Sequence, residues 1–386
     1  MTAFEYIYFD HAAATPLSPQ VERAMQPFQR DHFFNPSSPY APALAVRRAY
    51  QEAKDVIARA IGAKADELVM TAGATESINL AFGSIDGHVV TSAIEHHAVL
   101  RAAEQHGNST IVPVGKKGVV SVEAIAAAIT PATTLVSVAL ANNELGTVQP
   151  LSKLAEIIRK ERQRRRDNND LTPIYLHSDA SQGVGQLDVN VARLGVDLLT
   201  LNAGKIYGPK QVGLLWAHSG VRLRAQVFGG GQERGLRSGT ENVAGVVGFS
   251  VALERAVNGR KAEAERLRKL RDNLQEQLTS AYSNVIISGD QKRRLPGHLH
   301  VSFPGLDAER LIFLLEMENV LLATGSACAA NKGTRSHVLT AIGMSDEEAD
   351  GSLRISLGHL SDEVTVRQGG EAIIRAVAKE RERMGR

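Results

Sequence analysis

Two charged residues, Lys205 and Asp179, follow successive apolar runs of the sequence and have side chains that could carry out chemistry. Lys205 lies in the turn 202–209 (NAGKIYGP), directly after the run Leu198–Leu201, and Asp179 follows the run Ile174–His177. A lysine in a glycine-bordered turn can form a Schiff base with pyridoxal phosphate, and an aspartate can keep the pyridine nitrogen of that cofactor protonated. The same residues could equally form a salt bridge or remain solvated loop charges. The spacing alone leaves both interpretations open.

The sequence contains one cysteine, Cys328. A single cysteine excludes an intrachain disulfide and a metal site built from several thiolates. Lone intracellular cysteines are usually small buried hydrophobic residues. The neighbours of Cys328 in the segment 323–333 (ATGSACAANKG) are small and polar, however, which is typical of an exposed loop. This context favours a reactive thiol.

Small residues and hydroxyls after the run Leu68–Met70, in the segment 71–76 (TAGATE), lead directly into a predicted helix. Backbone N–H groups at a helix N-terminus can bind a phosphate. The simpler interpretation, which we favour at this point, is that Thr75 only caps the helix. The sequence has neither a GxxxxGK[ST] motif nor a strand–GxGxxG–helix unit, so nucleotide binding has little support.

Two other polar segments have residue types that could bind an anion or a metal ion. The Gly229–Gly231 triplet and the segment 234–240 (RGLRSGT) predict a flexible cationic loop that suits an anionic group. His96 and His97 are adjacent but have no HExxH-like partner, so we expect no metal site.

The elements that must position these residues alternate between strand and helix, which predicts an α/β fold with a mostly parallel sheet covered on both faces. After Gly259 the pattern changes to a charged helix with one leucine stripe, followed by short strands, which predicts a smaller α+β unit. We expect a large cofactor-binding domain over residues 16–258 and a small domain formed by residues 1–15 and 259–386 that carries the Cys328 loop. The predicted strands of the large sheet are Leu68–Met70, Val89–Ser92, Thr110–Val114, Leu135–Leu140, Ile174–His177, Leu198–Leu201 and Gly213–Ala217.

The composition of the 386-residue chain is that of a globular protein, with 43% hydrophobic and 22% charged residues and a net charge of +2. A nearly neutral chain has no overall field to attract nucleic acid or an anionic membrane. The basic run 160–166 (KERQRRR) is best explained as the solvated end of a helix. The N-terminal segment has no long apolar core, and the longest mostly apolar stretch, Val243–Ala256, is too short to cross a bilayer. We therefore expect a cytoplasmic protein without membrane or direct nucleic-acid partners.

Motifs distributed over nearly the whole chain resemble those of the cysteine desulfurases of the NifS type, within the class V aminotransferase fold. The similarity runs from the segment 9–16 (FDHAAATP) to the segment 353–358 (LRISLG). The segments between them that carry it are 35–38 (NPSS), 73–77 (GATES), 95–100 (EHHAVL), 142–150 (NNELGTVQP), 205–210 (KIYGPK) and 325–328 (GSAC). The resemblance implies a fold type I aminotransferase with pyridoxal 5'-phosphate as cofactor.

The resemblance also implies roles for individual residues. Lys205 matches the lysine that bonds to the cofactor, Asp179 the partner of the pyridine nitrogen, and Cys328 the cysteine that carries the persulfide. Thr240 matches a phosphate contact that relatives supply from the other subunit, which implies a homodimer. The remaining matches are His96 against the ring, Gln182 at the phenolic oxygen, Ala74, Thr75, Asn202 and Gly204 at the phosphate, Asn143 near both cofactor and substrate, and Asn35 and Arg354 at the substrate.

Three positions differ from the pattern of the family. The family usually has Ser-x-His before the lysine, where this chain has Asn202-Ala-Gly204. Gln232 stands where a histidine is usual in the glycine-rich loop, and Pro39-Tyr40 stands where a histidine commonly follows the segment 35–38. The way in which the phosphate is held is therefore open.

The resemblance predicts conversion of L-cysteine to L-alanine, with the sulfur passed to Cys328 and then to an acceptor protein for iron–sulfur cluster assembly or tRNA thiolation. A selenocysteine lyase or a class V transaminase on the same fold is an alternative, and a transaminase would not need Cys328. A second alternative is a degenerate scaffold for sulfur-transfer partners, against which the retained Lys205, Asp179 and Cys328 count.

Overall fold

The computed structural model describes residues 6–324 and 335–385. Its strands are β1 Ile7–Tyr8, β2 Leu68–Thr71, β3 His88–Ser92, β4 Ser109–Val112, β5 Thr133–Ser137, β6 Tyr175–Asp179, β7 Leu198–Asn202, β8 Gly213–Ala217, β9 Ile286–Ile287, β10 His298–Ser302, β11 Val320–Leu321, β12 Ala323–Thr324 and β13 Ser352–Ser356. Its α-helices are α1 Pro19–Arg30, α2 Ala41–Ile61, α3 Ala74–Gly83, α4 His97–His106, α5 Val122–Ala128, α6 Leu151–Asp167, α7 Val191–Leu194, α8 Val243–Ala281, α9 Ala308–Glu316, α10 His337–Ala341, α11 Asp346–Asp350 and α12 Glu363–Arg383. Short 3-10 turns are formed by Ala65–Glu67, Ala203–Lys205 and Glu233–Gly235.

Seven strands form one large sheet in the order β2-β8-β7-β6-β5-β3-β4. Neighbouring strands are parallel except at β8, which is antiparallel to both β2 and β7. The seven strands coincide with the seven predicted apolar runs, so the predicted mostly parallel sheet is confirmed. On β5, Leu135 packs into one core and its neighbour Val136 into a second core. Because successive residues of a strand point to opposite faces, burial of both faces explains why the strands read as continuous apolar runs.

A smaller antiparallel sheet has the order β12-β13-β10-β9 and lies beside the separate parallel pair of β1 and β11. Its core contains Phe9 from the N-terminal segment together with the leucine stripe of α8. This arrangement confirms the predicted smaller α+β unit. The leucines of the stripe are Leu267, Leu270, Leu274 and Leu278.

Helix α8 runs without interruption for 39 residues and joins the two cores. Val246 and Phe249 pack in the core of the large sheet, whereas Leu267 and Leu274 pack in the core of the small sheet. The predicted domain boundary at residues 258 and 259 therefore falls inside a helix, since a single glycine costs a helix only about 1 kcal/mol and does not end it. The division into two domains stays a proposal, based on two cores that share one helix.

Candidate active site

The carboxyl ends of β6 and β7 place Asp179 and Lys205 at the same edge of the large sheet. The two strands are parallel, Asp179 is the last residue of β6 and lies opposite Thr200, and β7 leads into the 3-10 turn that ends at Lys205. Ligands of open parallel sheets bind at this edge. Lys205 lines three cavities of the described residues, and two of them, which adjoin at Ala74 and Thr75, have volumes of about 290 and 660 Å³. We call the smaller one the Asp179 cavity and the larger one the Thr75 cavity.

Most of the residues predicted from the sequence line these two cavities. Those of the Asp179 cavity are Ala74, Thr75, His96, Asn143, Asp179, Gln182, Asn202, Lys205 and Arg354. Those of the Thr75 cavity are Ala74, Thr75, Asn202, Gly204 and Lys205.

The amine of Lys205 is held against the N-terminal segment. Its Nζ donates to the carbonyl oxygens of Ala12 and Ala13 at 2.8 and 2.6 Å, and Gln182 Nε2 donates to the same Ala12 carbonyl at 3.0 Å. Burial lowers the pKa of Lys205, and the positive charge of Arg354 lowers it further. A lowered pKa favours the neutral amine, which is the form that can act as a nucleophile or as a base.

Asp179 is fixed by its own turn and by a buried histidine of the same strand. Its Oδ1 accepts a hydrogen bond from the Ser181 backbone N–H at 2.9 Å. His177 lies two residues earlier and is fully buried, and its ring bonds Ser137 on β5 at 2.8 Å and Thr200 on β7 at 3.0 Å. Burial lowers the pKa of His177 to about 4, so the ring is neutral at physiological pH. These contacts tie the three strands together immediately before the carboxylate.

His96 stands at the N-terminus of α4, at the wall of the Asp179 cavity. Its Nδ1 accepts a hydrogen bond from the Ala98 backbone N–H at 3.1 Å, which caps the helix and fixes the ring. Although the side chain is exposed at the cavity surface, desolvation by the surrounding walls lowers its pKa, against the opposing pull of Asp179. A neutral ring at this wall suits contact with a flat aromatic group.

Arg354 is the buried cation of the Asp179 cavity. It lies on β13 and is 3% exposed. Its Nη2 donates to Asp10 Oδ1 at 2.6 Å and its Nη1 to the Asn143 carbonyl at 3.5 Å, while Nε has no partner among the described residues. A guanidinium in this position can bind a carboxylate group. Sequence reasoning did not assign Asp10, although it lies in the recognised segment 9–16.

Two buried carboxyl groups behind the cavity were also missed by the sequence reasoning. Glu144 lines the Asp179 cavity and accepts a hydrogen bond from the Ser336 hydroxyl, and burial raises its pKa to about 7. Glu95 accepts from the Ser92 hydroxyl at 2.6 Å and from the Ala139 backbone N–H at 3.0 Å, and burial raises its pKa to about 8. Both lie inside motifs of the resemblance, but burial of a carboxyl group has no signature in sequence.

The Thr75 cavity opens at the N-terminus of α3. The N-cap residue is Gly73, with φ of 142°, and Thr75 lies in the first turn of the helix, so our favoured interpretation of Thr75 as the cap is wrong. Because glycine has no side chain to cap the helix, the N–H groups of the first turn are left for a ligand. On the opposite wall, Asn202 Oδ1 accepts a hydrogen bond from the Gly204 N–H at 3.0 Å.

Two of the predicted residues, Asn35 and Thr240, do not line these two cavities of their own chain. Asn35 is exposed and its side chain accepts a hydrogen bond from the Ser37 N–H at 2.9 Å, within its own turn. Thr240 is exposed on the loop after the Glu233–Gly235 turn. Cys328 lies outside the described residues. The roles of all three stay predictions.

Within residues 6–324 and 335–385, no helix is long and apolar enough to cross a membrane. The same residues contain no group of three or more histidine, cysteine or acidic side chains that could hold a metal ion.

Comparisons with known proteins find similarity along nearly the whole chain. The model of the aminotransferase class-V family matches residues 7–368. Cysteine desulfurase IscS of Dictyoglomus turgidum is 40% identical over 91% of this chain and 89% of its own length. The solved structure of a NifS-like protein is 32% identical over 97% of this chain and all of its own, with a TM-score of 0.88. A structure described as SspA in complex with cysteine is 34% identical over 91% of this chain and 98% of its own, with a TM-score of 0.78.

Proposed function

The chain belongs to the class-V aminotransferase family, and we propose that it is a pyridoxal-phosphate-dependent cysteine desulfurase. L-cysteine is converted to L-alanine, and its sulfur is transferred to Cys328 as a persulfide. The observation that carries the proposal is the convergence of Lys205, Asp179 and Arg354 on one cavity. An amine, a carboxylate and a buried guanidinium are the groups needed to activate and orient an amino acid.

The donors around the two cavities fit pyridoxal phosphate. Apart from the adjoining backbone, no atom of the described residues lies within 4 Å of the position that a Cβ on Gly73 would occupy, so a phosphate can approach the first turn of α3. Ala74 and Thr75 would hold the phosphate with Asn202, while Asp179 would hold the pyridine nitrogen. Gln182 and Asn143 would bind at the phenolic oxygen, with His96 against the ring. When bound, the cofactor supplies the sink for the electron pair released at the substrate Cα.

Lys205 and Arg354 supply the chemistry that the chain itself contributes to the amino acid. Arg354 binds the substrate carboxylate through its Nε, which has no partner among the described residues, and the adjacent Nη groups, beside Asn143. Asn35 does not line this cavity in its own chain, and its contact with the substrate stays a prediction from the resemblance. The amine of Lys205 takes the proton from Cα, since burial lowers its pKa and so increases the share of the unprotonated form, and its hydrogen bonds to two carbonyl oxygens fix its position.

Cys328 accepts the sulfur. Its thiolate attacks the substrate sulfur, the bond between that sulfur and Cβ breaks, Cβ takes up a proton, and Lys205 returns the proton to Cα to give alanine. The products are alanine and a persulfide on Cys328, so atoms and electrons balance without an added oxidant or reductant. Two described residues support this role: Ala323, on the strand that leads towards Cys328, pairs with Arg354, and Ser336, which follows the segment, bonds Glu144. The described residues on either side of the segment 325–334, which contains Cys328, therefore contact residues that line the Asp179 cavity.

We further propose a homodimer in which Thr240 reaches the phosphate of the partner subunit. Thr240 is exposed in its own chain, on the same loop as the exposed apolar residues Val227 and Phe228, and Phe228 is 84% exposed. The loop is tied to α2, because Glu233 accepts a hydrogen bond from the Tyr50 hydroxyl at 2.6 Å. Exposed apolar side chains of this size are typical of protein interfaces. Sedimentation of the purified chain tests this, since a monomer would contradict it.

The physiological role we propose is delivery of the Cys328 sulfur to an acceptor protein for iron–sulfur cluster assembly or tRNA thiolation. We place it in the cytoplasm, where free thiols stay reduced. The test of the activity is incubation of the purified protein with L-cysteine and no keto acid. Equal amounts of alanine and persulfide support a desulfurase. Cysteine consumed only when a keto acid is added, with the amino acid of that keto acid as product, indicates a transaminase. Turnover of selenocysteine in a parallel incubation, with little turnover of cysteine, indicates a selenocysteine lyase, and no product indicates a scaffold.

A further inference from the structure

The Thr75 cavity must balance a doubly negative phosphate if it holds the cofactor, and this inference rests on the proposed function. A phosphate monoester carries about two negative charges at neutral pH. The amides of α3, the Thr75 hydroxyl and Asn202 are all neutral. The chain has glycine at position 204 and glutamine at position 232, where its relatives usually carry histidines. The compensating charge must therefore come from another side chain.

The cations that line the Thr75 cavity in the described residues are Lys205, Lys210 and Arg237. Lys205 is assigned to the reacting end of the cofactor. Arg237 is already paired, because its Nε donates to Glu76 Oε1 at 2.9 Å. The ammonium of Lys210, in contrast, donates to the neutral carbonyl oxygen of Thr15. A lysine has three N–H donors, so two remain for an anion.

The stem of Lys210 lies where a larger side chain at position 204 would project. A Cβ atom added to Gly204 would be 3.8 Å from Lys210 Cδ and 3.9 Å from Lys210 Cα, with only Asn202 Oδ1 nearer, at 3.4 Å. The Lys210 side chain thus lies beside position 204, where relatives usually have a histidine. The absence of a side chain at position 204 leaves the ammonium with room to reach the ligand.

Thr15 fixes this arrangement. Its hydroxyl donates to the Gly204 carbonyl at 3.1 Å and accepts from the Tyr207 N–H at 2.8 Å, while its carbonyl accepts from Lys210. Tyr207 adopts a left-handed conformation, with φ of 62°, and this turns the chain back towards Gly204. A non-glycine residue in this conformation is uncommon and needs support from its surroundings. The contacts of Thr15 and the left-handed conformation of Tyr207 therefore place Lys210 at the wall of the Thr75 cavity.

We propose that Lys210 is the cationic side chain that binds the phosphate group of the cofactor, in the place of the histidine that relatives carry. It acts on affinity for the phosphate and not on the reacting end of the cofactor. This makes it separable from Lys205.

The test compares two ligands that differ only in the phosphate. The full chain is stripped of cofactor and titrated with pyridoxal phosphate or with pyridoxal, for the wild type and for Lys210→Met, Lys210→Arg and Lys117→Met. Lys117 is a control because its side chain is 74% exposed and it does not line the cavity. Circular dichroism shows whether each variant is folded.

We expect Lys210→Met to weaken binding of pyridoxal phosphate about 10- to 100-fold, the range for a hydrogen bond to a charged group, and to leave pyridoxal binding unchanged. Lys210→Arg should retain most of the affinity, and Lys117→Met all of it. Equal losses for both ligands, or no loss for either, would overturn the inference, since Lys210 would then be structural or dispensable. If the wild-type chain binds neither ligand, the proposed function fails instead.

Discussion

Replacement of Glu144 by glutamine should stabilise the protein at alkaline pH and leave its stability almost unchanged at acid pH. Glu144 is 1% exposed, and its carboxyl group accepts a hydrogen bond from the Ser336 hydroxyl. Glutamine has nearly the same shape and keeps an oxygen that can accept this bond. The variant therefore removes the titration of the group with little change in packing.

The size of the effect follows from the pKa of Glu144, which burial raises from 4.5 to about 7. Because the folded state binds this proton more tightly than the unfolded state, the stability that protonation contributes is fully present below pH ~4.5 and is lost as the pH rises through about 7. Above that pH, the ionised carboxylate costs the folded state up to about 3 kcal/mol. Glutamine avoids this cost, and about 2 to 3 kcal/mol corresponds to a rise in Tm of roughly 2–4 °C for a protein of this size.

The assay is thermal unfolding of wild type and Glu144→Gln, at about pH 4.5 and about pH 8.5, with the same excess of cofactor. The difference between the two proteins at each pH cancels the contributions of Glu95 and of the cofactor. Glu347→Gln is the matched control, because Glu347 is an exposed carboxylate and should show no such difference. If Glu144→Gln has the same effect at both pH values, or destabilises the protein more at high pH, the reasoning is refuted. The Arg354 charge would then outweigh burial and hold Glu144 ionised.

Three substitutions test the roles of residues that line the Asp179 cavity. Lys205→Ala should lower alanine formation from cysteine at least about 1,000-fold, because it removes both the nucleophile and the base; retention of a tenth of the rate would contradict the assignment. Asp179→Asn should lower kcat about 100-fold while the absorbance of bound cofactor remains, since its charge is lost but its shape is kept; a near-normal kcat would exclude the pyridoxal mechanism. Arg354→Lys should raise KM for cysteine about 10-fold, more than it changes kcat, because lysine cannot bind a carboxylate with two N–H groups; an unchanged KM would place the carboxylate elsewhere.

The large sheet was predictable because its strands, apart from the edge strand β4, are largely buried on both faces. Such strands read as short apolar runs, and all seven were identified from hydrophobicity and flanking turns. The course of α8 was not predictable, because it changes partners along its length. Phe249 faces the core of the large sheet and Leu274 that of the small sheet. A change of core alters the residue pattern without ending the helix, so the helix continues through Gly259, and the domain boundary there stays a proposal.

The placement of Lys205 and Asp179 at one cavity was predictable because motifs contain both residues, and their roles stay predictions. The partners of these residues were not predictable. Asp10 reaches Arg354 across a sequence separation of 344 residues, and Lys210 returns to Gly204 only because Tyr207 adopts a left-handed conformation. The N-cap of α3 is Gly73, although threonine is the better N-cap residue by local preference. Backbone geometry and long-range pairing decided all three cases, and neither has a local signal in sequence.

One measurement shows directly whether the sulfur of cysteine is transferred to Cys328. The wild type and Cys328→Ser are mixed with one equivalent of sulfur-labelled L-cysteine, and the label on the peptide containing residue 328 is counted together with the alanine formed. For the wild type we expect one persulfide on Cys328 for each alanine formed. For Cys328→Ser we expect neither product, although the variant still binds cofactor and cysteine. Alanine formed by Cys328→Ser at the wild-type rate would contradict this expectation.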